Sequence, residues 1–273
     1  MEALMWVSHA GRPLGAEELC HALAVELGST DFNSQNIPSI STILSCCQGL
    51  ITVDKKASTV RLIHFTLQEY LSAHPDFFSR PHSTMAETCL TYLNSEQVEA
   101  LSADSSSDVL GTSFLEYCSA YWGVHAKWEL SDDAMALALC LLEGYDGHIS
   151  AKLLLEQVED VYLSPFQTGF RFGGLHCASF FGINELVAAL IQIQRFDING
   201  GDLWGHTPLA WAAYNGHDEI VKILLEEEAV DANQPNSYGK TPLSHAAENG
   251  HGGVVEILLG RGEVKPAEPD IGA

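Results

Sequence analysis

The stretch Gly205-His-Thr-Pro-Leu-Ala-Trp-Ala-Ala-Tyr-Asn-Gly-His217 returns 34 residues later as Gly239-Lys-Thr-Pro-Leu-Ser-His-Ala-Ala-Glu-Asn-Gly-His251. A tandem copy this close constrains the fold more than any other feature of the chain. A unit of this size cannot bury its own apolar face and must stack on its neighbours. A third, degenerate copy precedes the two, since Leu175, Ala178, Gly182, Val187 and Leu190 stand one period before Leu209, Ala212, Gly216, Val221 and Leu224. The local chemistry of one unit is direct. Thr207-Pro208 starts a helix: proline is tolerated where its missing N–H has no partner to lose, and the threonine hydroxyl satisfies a free backbone donor. Ala212-Ala213 allows close approach of a second helix, and Gly216 ends the first. Ile220, Val221, Leu224 and Leu225 then recur at helical spacing as one apolar stripe. Asp197-Ile-Asn199 and Asp231-Ala-Asn233 lead into the following turns.

These motifs resemble the ankyrin repeat, with its turn, its TPLHxA helix start and its period near 33 residues. The resemblance implies a helical solenoid that binds a protein partner on its concave face. Carried over by position, the turn tips are Leu203, Trp204, His206, Ser237, Tyr238 and Lys240, and the first-helix face offers Phe180, Phe181, Tyr214, Asn215, Glu248 and Asn249. Exposed aromatic side chains on such a strip are typical anchors. For Trp204 and Phe181 the competing reading is packing between repeats. His176 occupies the position of a turn-bracing histidine, and His217 and His251 the usual Gly-His position, so repeat architecture accounts for all three. The first unit departs from the pattern, because Phe172-Gly-Gly174 replaces the Thr-Pro start, and it is expected to serve as a cap.

The first 80 residues have another rhythm. Leu19, Leu23 and Leu27 within Glu17 to Leu27 predict a helix stopped by Gly28. Pro38 to Leu50 predicts a second, capped by Ser39 or Ser41, with Ile40, Ile43, Leu44 and Cys47 toward a core. The period then changes to two. Leu50-Ile-Thr-Val53 and Thr59-Val-Arg-Leu-Ile63 read as strands joined by Asp54-Lys-Lys-Ala-Ser58, a β-hairpin. Helices followed by a hairpin give the order of a winged helix.

Ile63-His-Phe-Thr-Leu-Gln-Glu-Tyr-Leu71, with Arg12-Pro-Leu-Gly-Ala-Glu-Glu-Leu-Cys-His-Ala-Leu23, resembles the winged helix that follows the NACHT-type nucleotide-binding module in fungal STAND proteins carrying ankyrin repeats. Phe114-Leu-Glu-Tyr-Cys-Ser-Ala-Tyr-Trp-Gly-Val-His125 fits the middle helices of the same family. The resemblance implies that His64, before Gln68, Glu69 and Tyr70, is the histidine that approaches the β-phosphate of ADP in the resting state, and that a NACHT-type module is a partner. The competing reading is that His64 bonds a local carbonyl and fixes the helix entry. Winged helices of this type also carry the name of GPI inositol-deacylase, which would suggest an esterase, but the chain has no Gly-x-Ser-x-Gly nucleophile elbow. Nor does it contain GxxxxGK[ST], since Gly239-Lys-Thr241 lacks the upstream glycine. No hydrolysis of ATP by this chain, no catalytic residue, no cofactor and no metal site are expected.

The formal net charge is −23, and Thr84 to Pro165 holds fourteen acidic residues against Lys127 and Lys152. Such a chain repels phosphate backbones. The candidate recognition helix, Ser39 to Gly49, has no lysine or arginine, leaving only Lys55, Lys56 and Arg61 in the wing, so no nucleic-acid partner is expected. Seven scattered cysteines without a CxxC pair read as buried free thiols of an intracellular protein. No window approaches the roughly 18 apolar residues of a membrane helix. A cytoplasmic protein without membrane contact is therefore expected.

Between the two patterned regions, Thr84 to Leu93, Phe114 to Val124, Asp132 to Leu142 and Ser150 to Val158 read as amphipathic helices, with a serine-rich break at Ser102 to Ser107. Tyr117, Tyr121, Trp122 and Trp128 are expected in their core. His9, His21, His74, His82, His125 and His148 read as isolated. The expected fold is mainly α: a winged-helix domain with a small β-hairpin (1–83), a helical connector (84–165), about three ankyrin repeats forming a solenoid (166–265) and a disordered tail (266–273). Two functions fit this order. The first is a noncatalytic sensor and regulatory part of an NLR-like signalling protein, binding a protein partner through its repeats. The second is a free-standing ankyrin scaffold without a switch role.

Overall fold

The computed structural model describes residues 1–101, 113–158, 171–261 and 264. The expected serine-rich break, most of the aromatic entrance to the repeats and the tail lie outside these residues. The chain is mainly helical and divides into two compact units, Met1–Leu137 with His148–Pro165, and Ala138–Gly147 with Phe166–Ala273.

In the first unit, α1 (Glu2–His9) precedes α2 (Ala16–Ala22) and α3 (Ile40–Cys46). Strands β1 (Ile51–Asp54) and β2 (Thr59–Leu62) pair antiparallel with Ile51 opposite Leu62 and Asp54 opposite Thr59. The segment before α2 adds a short third edge, as Ala16 N–H donates to Ser58 O at 3.1 Å and Val60 N–H to Leu14 O at 2.7 Å. This is the winged-helix order. Leu14, Leu19, Ile43, Ile51 and Val60 form its interior.

Both early helices are shorter than their apolar periodicity predicts. α2 ends at Ala22, where Ala24 N–H turns back to His21 O, and Leu27 is left 52% exposed. α3 begins after Ser39, whose hydroxyl accepts from Thr42 N–H, and is stopped by Gln48 and Gly49 at φ of 49° and 82°. Left-handed backbone at two consecutive residues cannot continue a helix. Of the four residues expected to face inward, only Ile43 is buried.

α4 (Phe65–Ala73) follows the hairpin, and α5 (Pro81–Leu93) packs along α7 (Ser113–Trp128), with the short α6 (Glu96–Glu99) between them in sequence. Met85, Thr88, Cys89, Tyr92 and Leu93 of α5 are all buried, as their spacing requires. Tyr117 and Trp122 are fully buried on α7, whereas Trp128, expected in the core, is 75% exposed. It sits in the last turn of α7, where its indole stacks on His82 at 5.7 Å. α8 (Asp132–Glu143) and α9 (Ile149–Leu155) complete the helices before the repeats. The thiol reading holds in part: Cys20, Cys89, Cys118 and Cys177 are buried, but Cys46 and Cys140 are exposed on helix faces that no neighbour covers among the described residues.

The second unit is a stack of helix pairs: α10 (Gly174–Phe181) with α11 (Asn184–Ile193), α12 (Pro208–Tyr214) with α13 (Asp218–Glu226), and α14 (Pro242–Glu248) with α15 (Gly252–Gly260). First helices pack on first helices and second on second. Thr207 and Thr241 cap α12 and α14 by accepting from the N–H of Ala210 and Ser244. In the first pair, which lacks threonine, His176 takes over: its Nδ1 accepts from Gly173 N–H at 3.2 Å and its Nε2 donates to Gly200 O at 2.8 Å. Two further imidazoles tie successive pairs together. His217 Nε2 donates to Phe180 O and His251 Nε2 to Tyr214 O, each at 2.9 Å. Gly182 and Gly216 make room for these rings, since a Cβ there would lie 2.7 Å from His217 and 2.4 Å from His251.

Candidate protein-binding face

The turn between the first and second pairs is built on one carboxylate. Asp202 Oδ1 accepts from the N–H of Trp204 at 2.9 Å and of His206 at 2.8 Å, and Oδ2 accepts from Trp211 Nε1 at 3.0 Å. One period later Asn236 Oδ1 accepts from the N–H of Tyr238 and Lys240, both at 2.9 Å. The Asn236 amide nitrogen then faces His206 Nε2 at 2.9 Å. That ring nitrogen must be the acceptor, which places the His206 proton on Nδ1, 3.4 Å from Asp202 Oδ1. Ser237 N–H donates to Trp204 O at 2.7 Å and locks one turn tip onto the next.

The strip positions recur at the repeat period: Phe180, Tyr214 and Glu248 form one column, Phe181, Asn215 and Asn249 a second, and Leu203, Trp204 and His206 match Ser237, Tyr238 and Lys240. Burial divides them. Trp204 and Phe181 are only 7% and 6% exposed, so both are packing residues and not surface anchors. Tyr238, at the position equivalent to Trp204, is 70% exposed. Phe180, Leu203, His206, Tyr214 and Asn215 are half-buried, and Ser237, Lys240, Glu248 and Asn249 are open to solvent. The Asn215 and Asn249 amides donate to Trp211 O and His245 O, which directs the Oδ1 lone pairs away from the helix. Lys240 and Glu248 pair at 2.7 Å; both are about half exposed, so the pair contributes little to stability and is available for exchange with a partner.

Beneath the strip runs an aromatic ribbon that sequence reasoning missed. Trp211 meets Phe180 at 5.5 Å and Tyr214 at 5.7 Å, and His245 meets Tyr214 at 5.8 Å and His206 at 5.1 Å. Trp211 and His245 occupy the same repeat position, and that period was the available signal. At the start of the stack a cleft of about 470 Å³ is lined by Arg171, His176, Arg195 and Asp197, with Arg195 3.5 Å from Glu143.

In the other unit His64 is exposed at the N-terminus of α4. Its Nδ1 accepts from Thr66 N–H at 3.2 Å and lies 2.9 Å from the Thr66 hydroxyl. The local partner is therefore an amide and a hydroxyl, not the expected carbonyl, and Nε2 is left pointing outward as a donor. Gln68 Nε2 donates to Ser8 O and fastens α4 to α1. Ile63 and Phe65, on either side of His64, are 60% and 67% exposed.

Residues 175–270 match the family model "Ankyrin repeats" in three copies, and residues 1–80 match "GPI inositol-deacylase, winged helix domain". Similar solved structures include the Bd0816 predatory endopeptidase from Bdellovibrio bacteriovorus in complex with immunity protein Bd3460, at 34% identity. That match covers 33% of this chain and 46% of that chain, with a TM-score of 0.32. The human ASB11 ankyrin repeat domain is 30% identical over 33% of this chain and 40% of that chain, with a TM-score of 0.31. This chain thus spans less than half the length of either. No curated protein matches it. Among the described residues no helix is long and apolar enough to cross a membrane, and no group of three His, Cys, Asp or Glu side chains is placed to hold a metal ion. The ankyrin repeats are a protein-interaction module.

Proposed function

We propose that this chain is a noncatalytic regulatory part of an NLR-like signalling protein, in which the repeat strip recognises a protein partner and the winged helix contacts a NACHT-type nucleotide-binding module. The observation that carries the interaction half is the strip itself: Tyr238 stands on a hydrogen-bonded turn and Tyr214 ends α12, flanked by the Oδ1 acceptors of Asn215 and Asn249 and by the exposed Lys240–Glu248 pair. Aromatic anchors on a preorganised surface lose little conformational freedom on binding. Replacing Tyr214 and Tyr238 together with alanine is expected to weaken partner binding by about 10- to 100-fold without unfolding the stack.

The regulatory half rests on His64, whose outward Nε2 can donate to a phosphate, and on the exposed Ile63 and Phe65 beside it. Calorimetry of ADP binding to a NACHT-type module from the same locus, with and without this chain, tests it. Tighter ADP binding in the mixture, lost in His64→Ala, supports a nucleotide-sensing lid. Unchanged affinity refutes the lid and leaves a free-standing scaffold. The domain scheme of winged helix, helical connector and repeats is the arrangement this reading uses, and a cytoplasmic location follows from it.

A further inference from the structure

His9, His82 and His125 are not isolated. α1, α5 and α7 bring them together in the first unit, His125 buried and His9 and His82 half-buried. His82 Nδ1 and His125 Nδ1 lie 2.9 Å apart, and the two rings stack at 5.2 Å. His125 Nε2 lies 2.8 Å from the Tyr117 hydroxyl, which accepts from Gly11 N–H at 3.2 Å. His9 meets His82 edge-on at 5.6 Å, and its Nδ1 is held by the Ser8 hydroxyl at 2.8 Å and Met5 O at 3.3 Å. Trp128 and Phe78 close the cluster against His82 and His9.

One arrangement of protons satisfies every link of this chain. Two ring nitrogens at bonding distance share one proton. With Tyr117 O–H donating to His125 Nε2, the ring must carry its proton on Nδ1 and pass it to His82 Nδ1. The chain Gly11 N–H, Tyr117 O–H, His125 N–H, His82 is then satisfied at every link. One added proton on His82 can be accommodated by reversing the His125 links. A second cannot, because two Nδ1–H groups would face each other at 2.9 Å.

The surrounding charges do not rescue a cationic cluster. Glu129 favours a charged His82, but it is engaged by Arg80 at 2.9 Å and by Ser83 N–H. Glu18, the nearest acid from α2, forms a two-pronged pair with Arg12, whose guanidinium lies 5.2 Å from the Tyr117 ring centre. Glu87 is taken by the Ser83 and Ser131 hydroxyls. Cys89 and Cys118 border Tyr117, Tyr121 stacks on it, and Lys127 lies in the last turn of α7. Burial, then the charge of the neighbouring histidines, pushes His125 down to about 3; burial also lowers His82 and His9.

We propose that the His9–His82–His125 array with Tyr117 is a pH-sensitive latch that holds α1 against α5 and α7 at neutral pH and releases them on acidification. All three groups titrate lower in the folded than in the unfolded chain. Their contribution is therefore present above the unfolded value near 6.5 and is lost as pH falls below it.

Amide hydrogen exchange of the intact chain, corrected for intrinsic rates, reads this directly. From about pH 7.5 to about 5.5, peptides of α1, α5 and α7 should open at least about tenfold more often. His82→Gln should reduce that difference, and His21→Gln should leave it unchanged. An equal pH response in wild type and His82→Gln overturns the latch. If His82→Gln does not fold, NMR titration of wild-type histidine ring carbons decides. Coupled titration of His9, His82 and His125 well below the ordinary range supports the latch, whereas independent titration near 6.5 refutes it.

Discussion

Asp202→Asn is the substitution for which the two repeat turns make the sharpest prediction. The asparagine can copy Asn236, its own counterpart one period on, and keep both backbone donors with Oδ1. It cannot keep the third bond, because its Nδ2–H₂ would face the Trp211 indole N–H, now 3.0 Å from Oδ2. The Asp202 side chain is fully buried. Losing one hydrogen bond to a charge and stranding a buried donor each cost about 1–3 kcal/mol, so a loss of about 2–6 kcal/mol is expected for the repeat unit. Asp202→Ala should cost more, since all three donors lose their acceptor. Trp211→Phe in the wild type is costly in its own right, but in the Asp202→Asn background it removes the donor clash. The two substitutions should therefore couple by about 2 kcal/mol in a double-mutant cycle. Urea unfolding followed by circular dichroism measures this without depending on the tryptophan. Additive effects within about 0.5 kcal/mol would refute the argument that Asp202 is chosen for its second oxygen.

Further expectations follow from the stack. Gly216→Ala should cost more than Gly250→Ala: both residues have positive φ, but a Cβ at 216 lies 2.4 Å from the His251 ring and one at 250 meets nothing within 4 Å among the described residues. Backbone strain alone accounts for about 1 kcal/mol at each, and thermal unfolding should separate them by at least that much again. Burial lowers the pKa of His176 against the opposing pull of Asp202 and Gly200 O. The repeat unit should therefore lose stability as pH falls below about 6.5, and His176→Gln should flatten that dependence in urea midpoints taken at several pH values. His217→Ala removes the bond to Phe180 O and leaves space beside Gly182, with an expected cost of about 1–3 kcal/mol by the same assay.

The repeat stack was legible because its signal is a period: glycine, threonine-proline and paired alanines at fixed offsets dictate turn, cap and close approach with little help from elsewhere. The hairpin was legible for the same reason, since alternation over Thr59 to Ile63 is a local property. What the sequence concealed depends on neighbours. Trp204 and Tyr238 hold the same repeat position, yet one is buried and the other open, so residue type could not distinguish them. Leu27 and Leu50 continue helical runs that the turn after Ala22 and the left-handed Gln48 and Gly49 interrupt. His82 and His125 stand 43 residues apart, and only the packing of α5 along α7 makes them partners. Trp128 illustrates the opposite error, a large aromatic at a helix end that remains in solvent.

The central claim is that the repeat strip, not the winged helix, selects the protein partner, and comparative affinity enrichment from native extract tests it most directly. Four baits are needed: wild type, Tyr214→Ala with Tyr238→Ala, Lys240→Glu, and Phe65→Ser as a substitution in the other unit. The account predicts at least one protein retained equally by wild type and Phe65→Ser, reduced about tenfold or more by the tyrosine pair and measurably by Lys240→Glu. A capture in which no protein falls with the tyrosine pair would contradict it, whatever Phe65→Ser removes.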